Sequence, residues 1–99
     1  MFQIRWENQA SEELVEILEF WNKHNQSEAY SKILYEEIKR IEELLETNPQ
    51  IGEETNYKDI RRAIILYNYS LFYIISKRKK AIYIISFWDN RRNPDDLKL

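Results

Sequence analysis

Two apolar runs joined by a basic turn decide the fold of this 99-residue chain: YSLFYIIS at residues 69–76, KRKK at 77–80 and AIYIISFW at 81–88. Both runs are rich in aromatic and β-branched residues, which favour strands, and so short a connection predicts an antiparallel hairpin. Residues 57–67 have a similar composition, and Asn68 marks the turn that follows them. The C-terminal half is therefore predicted to be a three-stranded antiparallel meander.

Neither face of the predicted hairpin is polar. In LFYII at residues 71–75 and IYII at residues 82–85, both alternating sets of side chains are apolar. A strand with one solvated face would alternate apolar and polar residues. One face is expected to pack on the N-terminal half of the chain. The other is expected to be covered by the C-terminal tail, by a second copy of the chain or by another protein.

The N-terminal half predicts one strand followed by two helices. FQIRW at residues 2–6 alternates apolar and polar residues, which is typical of a half-buried strand. Apolar residues at helical spacing then form one stripe over residues 10–21 and another over residues 30–45. The polar connection at residues 22–26 is short, which favours an antiparallel helical hairpin.

Local signals place the ends of these helices. Asn8 and Ser27 are candidate N-caps, because their side-chain oxygens can accept hydrogen bonds from unpaired backbone N–H groups. Asn48 and Pro49 end the second helix, since proline disfavours a helical residue before it. The complete prediction is a single α+β domain over residues 1–99, of order β-α-α-β-β-β. One sheet packs on the helical hairpin, because each must bury its apolar face.

Composition excludes several classes of protein. There is no cysteine, which excludes a disulfide scaffold and thiolate metal sites. His24 is the one histidine and is expected to be a solvated loop residue, while Gly52 is the one glycine, so a glycine-rich phosphate loop is excluded. No apolar run approaches the 20 or so residues of a membrane helix, and the N-terminus does not resemble a secretory signal. We therefore expect a soluble cytoplasmic protein without metal or cofactor and without a membrane partner.

Charge is distributed unevenly along the chain. Residues 1–56 carry five basic and thirteen acidic side chains, whereas residues 57–99 carry ten basic and four acidic ones. An acidic half joined to a basic half is typical of a protein with a polyanionic partner on one face. Two solvated surfaces that attract each other would explain the same distribution.

A series of short motifs runs in a fixed order through nearly the whole chain. They are Trp6 closing the first strand; Ala10, Leu14, Ile17 and Trp21 in the first helix; Ala29 and Tyr30 opening the second; Leu45 before Asn48-Pro49-x-x-Gly52; Ile60-Arg61-Arg62; Tyr67-x-Tyr69-x-x-x-Tyr73-x-Ile75; Ile82-x-Ile84; and Trp88-Asp89-Asn90-Arg91-Arg92-Asn93-Pro94. In this order and spacing, the chain resembles the RelE/ParE superfamily of bacterial type II toxins.

The resemblance implies one of two activities. RelE-like members enter the ribosomal A site and cleave mRNA, so their partners are the ribosome and mRNA. ParE-like members bind DNA gyrase and need no nucleolytic site. Both are neutralised by a cognate antitoxin, whose wrapping would account for the apolar second face of the sheet. A degenerate member that only binds its antitoxin is the third hypothesis.

Cleavage of RNA by its own 2′-OH requires a base, an acid and positive charge at the phosphate. The resemblance implies that Arg61 contacts the scissile phosphate and that Arg91 adds charge at the end of the last strand; Tyr73 and Asp89 complete the predicted catalytic set. Arginine suits the task because it is always charged and pairs bidentately with phosphate. Alternatively, Arg61 pairs with the acidic helices, Tyr73 packs in the sheet and Asp89 caps a turn. As a base, Asp89 would need a raised pKa.

A further set of basic and aromatic side chains is predicted to bind RNA. Its cations would contact phosphates, and its aromatic rings would stack on bases. The set comprises Lys58, Arg62, Tyr67, Tyr69, Lys77, Arg78, Lys79, Lys80, Trp88 and Arg92. The KRKK turn is equally well explained as a solvated turn that discourages aggregation. Together with Arg61, this basic and aromatic C-terminal half favours the RNA-cleaving branch at the sequence level, with gyrase inhibition as the alternative.

Overall fold

Two helices pack on one face of a five-stranded sheet in the computed structural model, which describes all residues from Met1 to Leu99. The elements are β1 Gln3–Trp6, α1 Asn8–Asn25, α2 Ala29–Thr47, β2 Glu53–Glu54, β3 Ile60–Ile65, β4 Tyr69–Ser76 and β5 Ala81–Asp89, with short 3₁₀ helices at Pro49–Ile51 and Pro94–Asp96. The strand order is β1-β5-β4-β3-β2. β1 runs parallel to β5, and the other neighbours are antiparallel. The predicted α+β class and element order are confirmed, with mixed rather than purely antiparallel pairing.

The helices form where their apolar stripes predict them, but α1 is longer than expected. It extends to Asn25 and ends at Gln26, which has a left-handed backbone (φ 51°). Asn8 is the first residue inside α1 rather than its N-cap, so that prediction is wrong: Glu7 holds the cap position and makes no capping hydrogen bond through its side chain. Ser27 is likewise not the N-cap of α2, because Glu28 holds that position; the Ser27 hydroxyl, one residue earlier, accepts a hydrogen bond from the Ala29 backbone N–H at 3.1 Å.

The first strand of the meander is shorter than predicted. It begins at Ile60 rather than residue 57, because the preceding loop turns at Asp59 (φ 65°) and the Thr55 hydroxyl donates to the Ile60 carbonyl at 2.8 Å. The two-residue strand β2 was not predicted, since Glu53 and Glu54 have no apolar alternation. The turn at Asn68 is confirmed. The chain reverses through residues 66–68, and Ile65 pairs with Tyr69.

The core lies between the helices and the inner face of the sheet. Its buried members are Ala10 from α1; Leu34, Ile38, Ile41 and Leu45 from α2; and Ala63, Ile65, Tyr69, Leu71, Tyr73, Ile82, Ile84 and Phe87 from the sheet. This pattern matches the helical stripes and one alternating set of strand residues. Neither helix is long and apolar enough to cross a membrane.

The outer face of the sheet is partly covered by the C-terminal tail. Phe72 and Trp88 on this face are buried. Pro94 and Leu97 line one shallow cavity together with Phe72, and the Lys98 carbonyl accepts a hydrogen bond from the Gln9 side chain at 3.1 Å. The tail is therefore one of the predicted covers of the second apolar face.

Candidate functional site

The predicted site residues lie at two ends of the sheet rather than in one place. Lys58, Arg61 and Lys77 line a cavity of about 510 Å³, which we term the Arg61 cavity. Tyr69, Asp89, Arg91 and Arg92 line a second cavity of about 200 Å³, which we term the Arg91 cavity. The strand register fixes this separation.

The four predicted catalytic residues are divided between these ends. Arg61 lies opposite Tyr73 on β4, whereas Asp89 lies opposite Tyr69. Four residues of β-strand therefore separate the two pairs along β4, or about 13 Å at the usual rise per residue. The two pairs also bond to different parts of the chain, Arg61 and Tyr73 to residues 49–52 and Asp89 to Arg91.

Arg61 is tied to the segment that follows α2. Its guanidinium donates to the Gly52 carbonyl at 2.7 Å and to the Gln50 carbonyl at 3.3 Å, and it approaches the Glu54 carboxylate at 3.4 Å. Three quarters of its side chain is buried, with 23% exposed. The partners of Arg61 are thus mainly backbone carbonyls and not the acidic helices.

Arg62 projects from the opposite face of β3. It lies opposite Phe72 on the outer face of the sheet, and its guanidinium binds the exposed carboxylate of Glu53 on β2. The two neighbouring arginines therefore serve different surfaces, as the alternation of a strand requires.

Tyr73 is fully buried beneath the same segment. Its hydroxyl accepts a hydrogen bond from the Gly52 N–H at 2.9 Å and donates to the Pro49 carbonyl at 2.7 Å. Burial raises the pKa of Tyr73, although the Gly52 hydrogen bond and the charge of Arg61 lower it in part. The hydroxyl is thus a neutral group whose proton is already engaged, and its ring has no exposed surface.

The exposed part of the Arg61 cavity carries charges of both signs. Lys58 and Lys77 line it together with two acidic residues, Glu54 and Asp59. The rest of the basic turn, at residues 78–80, is exposed beside it. This end of the sheet offers cations to an anionic group but contains no histidine to act as a base near neutral pH.

The Arg91 cavity is built around a bidentate ion pair. Arg91 donates from Nε and Nη2 to the two carboxylate oxygens of Asp89, each at 2.9 Å. Its guanidinium lies 5.9 Å from the ring centre of Trp21 and 5.8 Å from that of Tyr69. The Tyr69 hydroxyl accepts a hydrogen bond from Trp21 Nε1 at 2.7 Å. These contacts join α1 to β4 and to the end of β5.

Sequence reasoning missed the contribution of α1 to this end of the sheet. Glu13 accepts hydrogen bonds from the Ser86 hydroxyl at 3.0 Å and from the Phe87 N–H at 3.2 Å. These bonds lie beside the irregular pairing of β4 and β5. Trp21 ends the apolar stripe of α1, which is the one signal that could have placed it here. Nothing in the sequence distinguishes Glu13 from its exposed neighbours Glu12 and Glu16.

The ion pair gives Asp89 the opposite of the pKa shift that a general base requires. Burial raises the pKa of Asp89, but the hydrogen bonds from Arg91 and the charges of Arg91 and Arg92 outweigh it, so that its pKa lies below the ordinary carboxyl value. Asp89 is therefore a weak base held in an ion pair. The carboxylate serves to orient Arg91.

Replacing Arg91 by alanine is expected to raise the pKa of Asp89, because burial remains while the side-chain hydrogen bonds and the charge of Arg91 disappear, and only the Arg91 backbone N–H and the charge of Arg92 still lower it. In the wild type, the folded pKa is depressed, so Asp89 adds stability at neutral pH that is lost as the pH falls through the folded pKa. The variant should lose the part of this contribution that comes from the Arg91 side chain. Carboxyl ¹³C NMR titration of Asp89 measures the shift. Arg92→Ala is the matched control and should have a smaller effect, and an unchanged pKa in Arg91→Ala would contradict the assignment.

An exposed aromatic turn adjoins the Arg91 cavity. Tyr67 is 93% exposed, and both Leu66 and Tyr67 have left-handed backbones (φ 48° and 65°). Bulky residues rarely adopt this conformation. Nearby, the Arg92 guanidinium stacks on the ring of Trp88, 4.5 Å from its centre. No group of three or more His, Asp or Glu side chains is arranged to hold a metal ion.

Comparisons with known proteins relate this chain to toxins. The profile of the family described as "ParE toxin of type II toxin-antitoxin system, parDE" matches residues 4–94. A solved structure of the chromosomal ParDE system from P. aeruginosa is similar over 90% of this chain and 96% of that chain, with a TM-score of 0.73 and 15% identity.

Two E. coli structures are also similar. The RelE–RelB toxin–antitoxin complex matches over 93% of this chain and 100% of that chain, with a TM-score of 0.65 and 14% identity. The isolated RelE toxin matches over 96% and 90%, with a TM-score of 0.65 and 13% identity. No curated protein sequence matches significantly. The structural similarities show a shared fold, and the family profile covers most of the chain.

Proposed function

Because the chain belongs to the ParE toxin family of type II toxin–antitoxin systems, we propose that it arrests growth by binding DNA gyrase, without cleaving RNA. The observation that carries this proposal is the division of the predicted catalytic residues between two ends of the sheet. A general base and acid must lie within hydrogen-bond reach of the atoms they serve, about 3 Å. Here the backbone positions of the two pairs are about 13 Å apart along β4, and each pair bonds to a different part of the chain.

The state of each predicted catalytic group supports the same conclusion. Arg61 and Tyr73 are used to hold residues 49–54, and Asp89 is held in an ion pair with Arg91 that lowers its pKa. None of these groups is free to accept a proton from a ribose 2′-OH. An inhibitor that acts by binding needs no such group.

Cleavage of mRNA on the ribosome is the second candidate function. The arrangement of Lys58, Arg61 and Lys77 around one cavity favours it, because three cations there could receive a phosphate group. The exposed turn at residues 77–80 would add contacts to neighbouring phosphates.

A cognate antitoxin is the expected regulatory partner. Apolar side chains are exposed to solvent on both the sheet and the helices. They include Ile64 on the outer face of the sheet and Phe20 and Ile33 on the helices. The tail leaves Ile74 and Tyr83 partly exposed. We propose that an antitoxin segment covers part of this surface and that the protein purifies best as a complex with it.

The proposed function is tested with two assays on the purified toxin. We expect inhibition of ATP-dependent supercoiling of relaxed plasmid by DNA gyrase, relieved by prior addition of the antitoxin encoded beside the toxin gene. In a reconstituted translation reaction, primer extension should reveal no new mRNA 5′ ends. New ribosome-dependent ends that disappear in Lys58→Ala, a change at an exposed side chain that leaves the fold intact, would instead establish the nuclease.

A further inference from the structure

Tyr67 lies in a turn whose backbone is held by hydrogen bonds, while its ring is exposed to solvent. The backbone on either side of it is held by Asn90, whose side-chain N–H donates to the Tyr67 carbonyl at 3.3 Å and whose backbone N–H donates to the Asn68 carbonyl at 2.7 Å. Asn90 is in turn fixed by the hydroxyl of the buried Ser70. The β3–β4 turn is therefore tied to the end of β5, and an almost fully exposed aromatic ring stands on it.

Arg92, two residues after Asn90, forms no ion pair within the protein. Arg92 has no carboxylate within 4.0 Å, although Arg91 beside it is paired with Asp89. The guanidinium of Arg92 is positioned by stacking on Trp88, which is itself buried. Arg92 follows two residues after Asn90, which holds the turn that carries Tyr67.

We propose that Tyr67 and the Arg92–Trp88 stack form the surface through which the toxin holds an acidic face of its protein target. Tyrosine, tryptophan and arginine dominate the binding energy of protein interfaces, and groups that are fixed before binding lose little entropy when a partner arrives. The unpaired charge of Arg92 selects a negative partner. This inference rests on the proposed function in that the target is a protein.

A protein partner fits this surface better than a nucleic acid does. Affinity for nucleic acids depends on the number of phosphates that cations neutralise, and this end of the sheet supplies one unpaired cation, Arg92. The cations suited to several phosphates lie at the opposite end, in the turn at residues 77–80 and in the Arg61 cavity. The two ends of the sheet therefore offer different chemistry.

Two variants test the surface without disturbing the core. Tyr67→Gly removes a ring that is 93% exposed and places glycine at a left-handed position (φ 65°), so thermal stability should not fall. Arg92→Glu reverses the unpaired charge. Tyr57→Ala and Lys79→Glu are the matched controls, because they make comparable changes at exposed side chains at the other end of the sheet.

Growth arrest, gyrase inhibition and antitoxin binding are measured for each variant. We expect Tyr67→Gly and Arg92→Glu each to raise the toxin concentration for half-inhibition of supercoiling at least about tenfold. Growth arrest should weaken in parallel, antitoxin binding should persist, and both controls should behave as the wild type does.

Other outcomes overturn the proposal in distinct ways. An equal loss in Lys79→Glu would indicate general attraction to nucleic acid. Loss of antitoxin binding in both site variants would assign the surface to the antitoxin, and full activity in both would exclude it from target binding. If the wild type arrests growth without inhibiting gyrase, the proposed function fails. In that case, loss of growth arrest in the two site variants but not in the controls would still support the surface, and growth arrest by the site variants would overturn it.

Discussion

Replacing Gly52 by alanine is expected to be the most destabilising change at any exposed or loop position of the chain. A Cβ atom at Gly52 would lie 2.5 Å from the Tyr73 hydroxyl, 2.8 Å from its Cε1 and 2.9 Å from the Arg62 carbonyl. One neighbour is backbone and the other is a fully buried ring, so neither can move without breaking the hydrogen bonds around residues 49–52. We expect a loss of about 3 kcal/mol in the free energy of unfolding.

Urea denaturation monitored by circular dichroism measures this loss, and a domain of this size should melt roughly 15 °C lower. Gln50→Ala is the matched control, because it changes an exposed side chain of the same segment and leaves the backbone carbonyl that Arg61 binds. A Gly52→Ala protein within about 0.5 kcal/mol of the wild type would show that this segment is not held as described.

A double substitution tests the contact itself. Tyr73→Phe alone removes the hydroxyl that bonds the Gly52 N–H and the Pro49 carbonyl, which should cost about 1–3 kcal/mol because both groups lose their partner. In the presence of Gly52→Ala, the same change also removes the closest clashing atom. The combined loss should therefore be smaller than the sum of the two single losses.

The architecture could be predicted because its signals are local. The apolar stripes of α1 and α2 and the dense apolar runs at residues 69–76 and 81–88 each specify one element. Strand β2 and the pairing of β1 with β5 could not be predicted, because neither has a local signal in the sequence. β2 consists of two glutamates and forms only because β3 offers it hydrogen bonds, and the parallel pairing of β1 with β5 joins the two ends of the sequence.

For the candidate site, the sequence predicted which residues take part but not how they are arranged. The sequence identified the arginines, tyrosines and lysines of the C-terminal half, but it could not show which of them meet. Arg61 and Arg91 are separated by strand register, while Asp89 and Arg91 are joined by a turn. The Gly52–Tyr73 and Glu13–Ser86 contacts join residues more than 20 positions apart, which no local pattern records.

Arg61→Ala and Arg62→Ala are expected to differ sharply in stability, although the two residues are neighbours. Loss of Arg61 leaves the Gly52 and Gln50 carbonyls without their charged donor, which should cost about 2 kcal/mol. Loss of Arg62 breaks a largely exposed pair with Glu53, which should cost less than about 1 kcal/mol. Urea denaturation of the two variants measures the difference, and equal losses would contradict it.

The same pair of variants separates a structural Arg61 from a catalytic one. A structural arginine changes stability but leaves the activity of the folded protein intact, so Arg61→Ala should inhibit gyrase as the wild type does at 25 °C. If Arg61 were instead a phosphate ligand of an mRNA nuclease, its removal would lower the rate of mRNA cleavage about 10²–10³-fold. Arg61→Lys sharpens the test, because lysine keeps the charge but lacks the planar fork that reaches both carbonyls. A Lys variant that is less stable yet fully toxic would assign Arg61 to the fold, whereas a stable Lys variant with lost toxicity would assign it to the chemistry of the site.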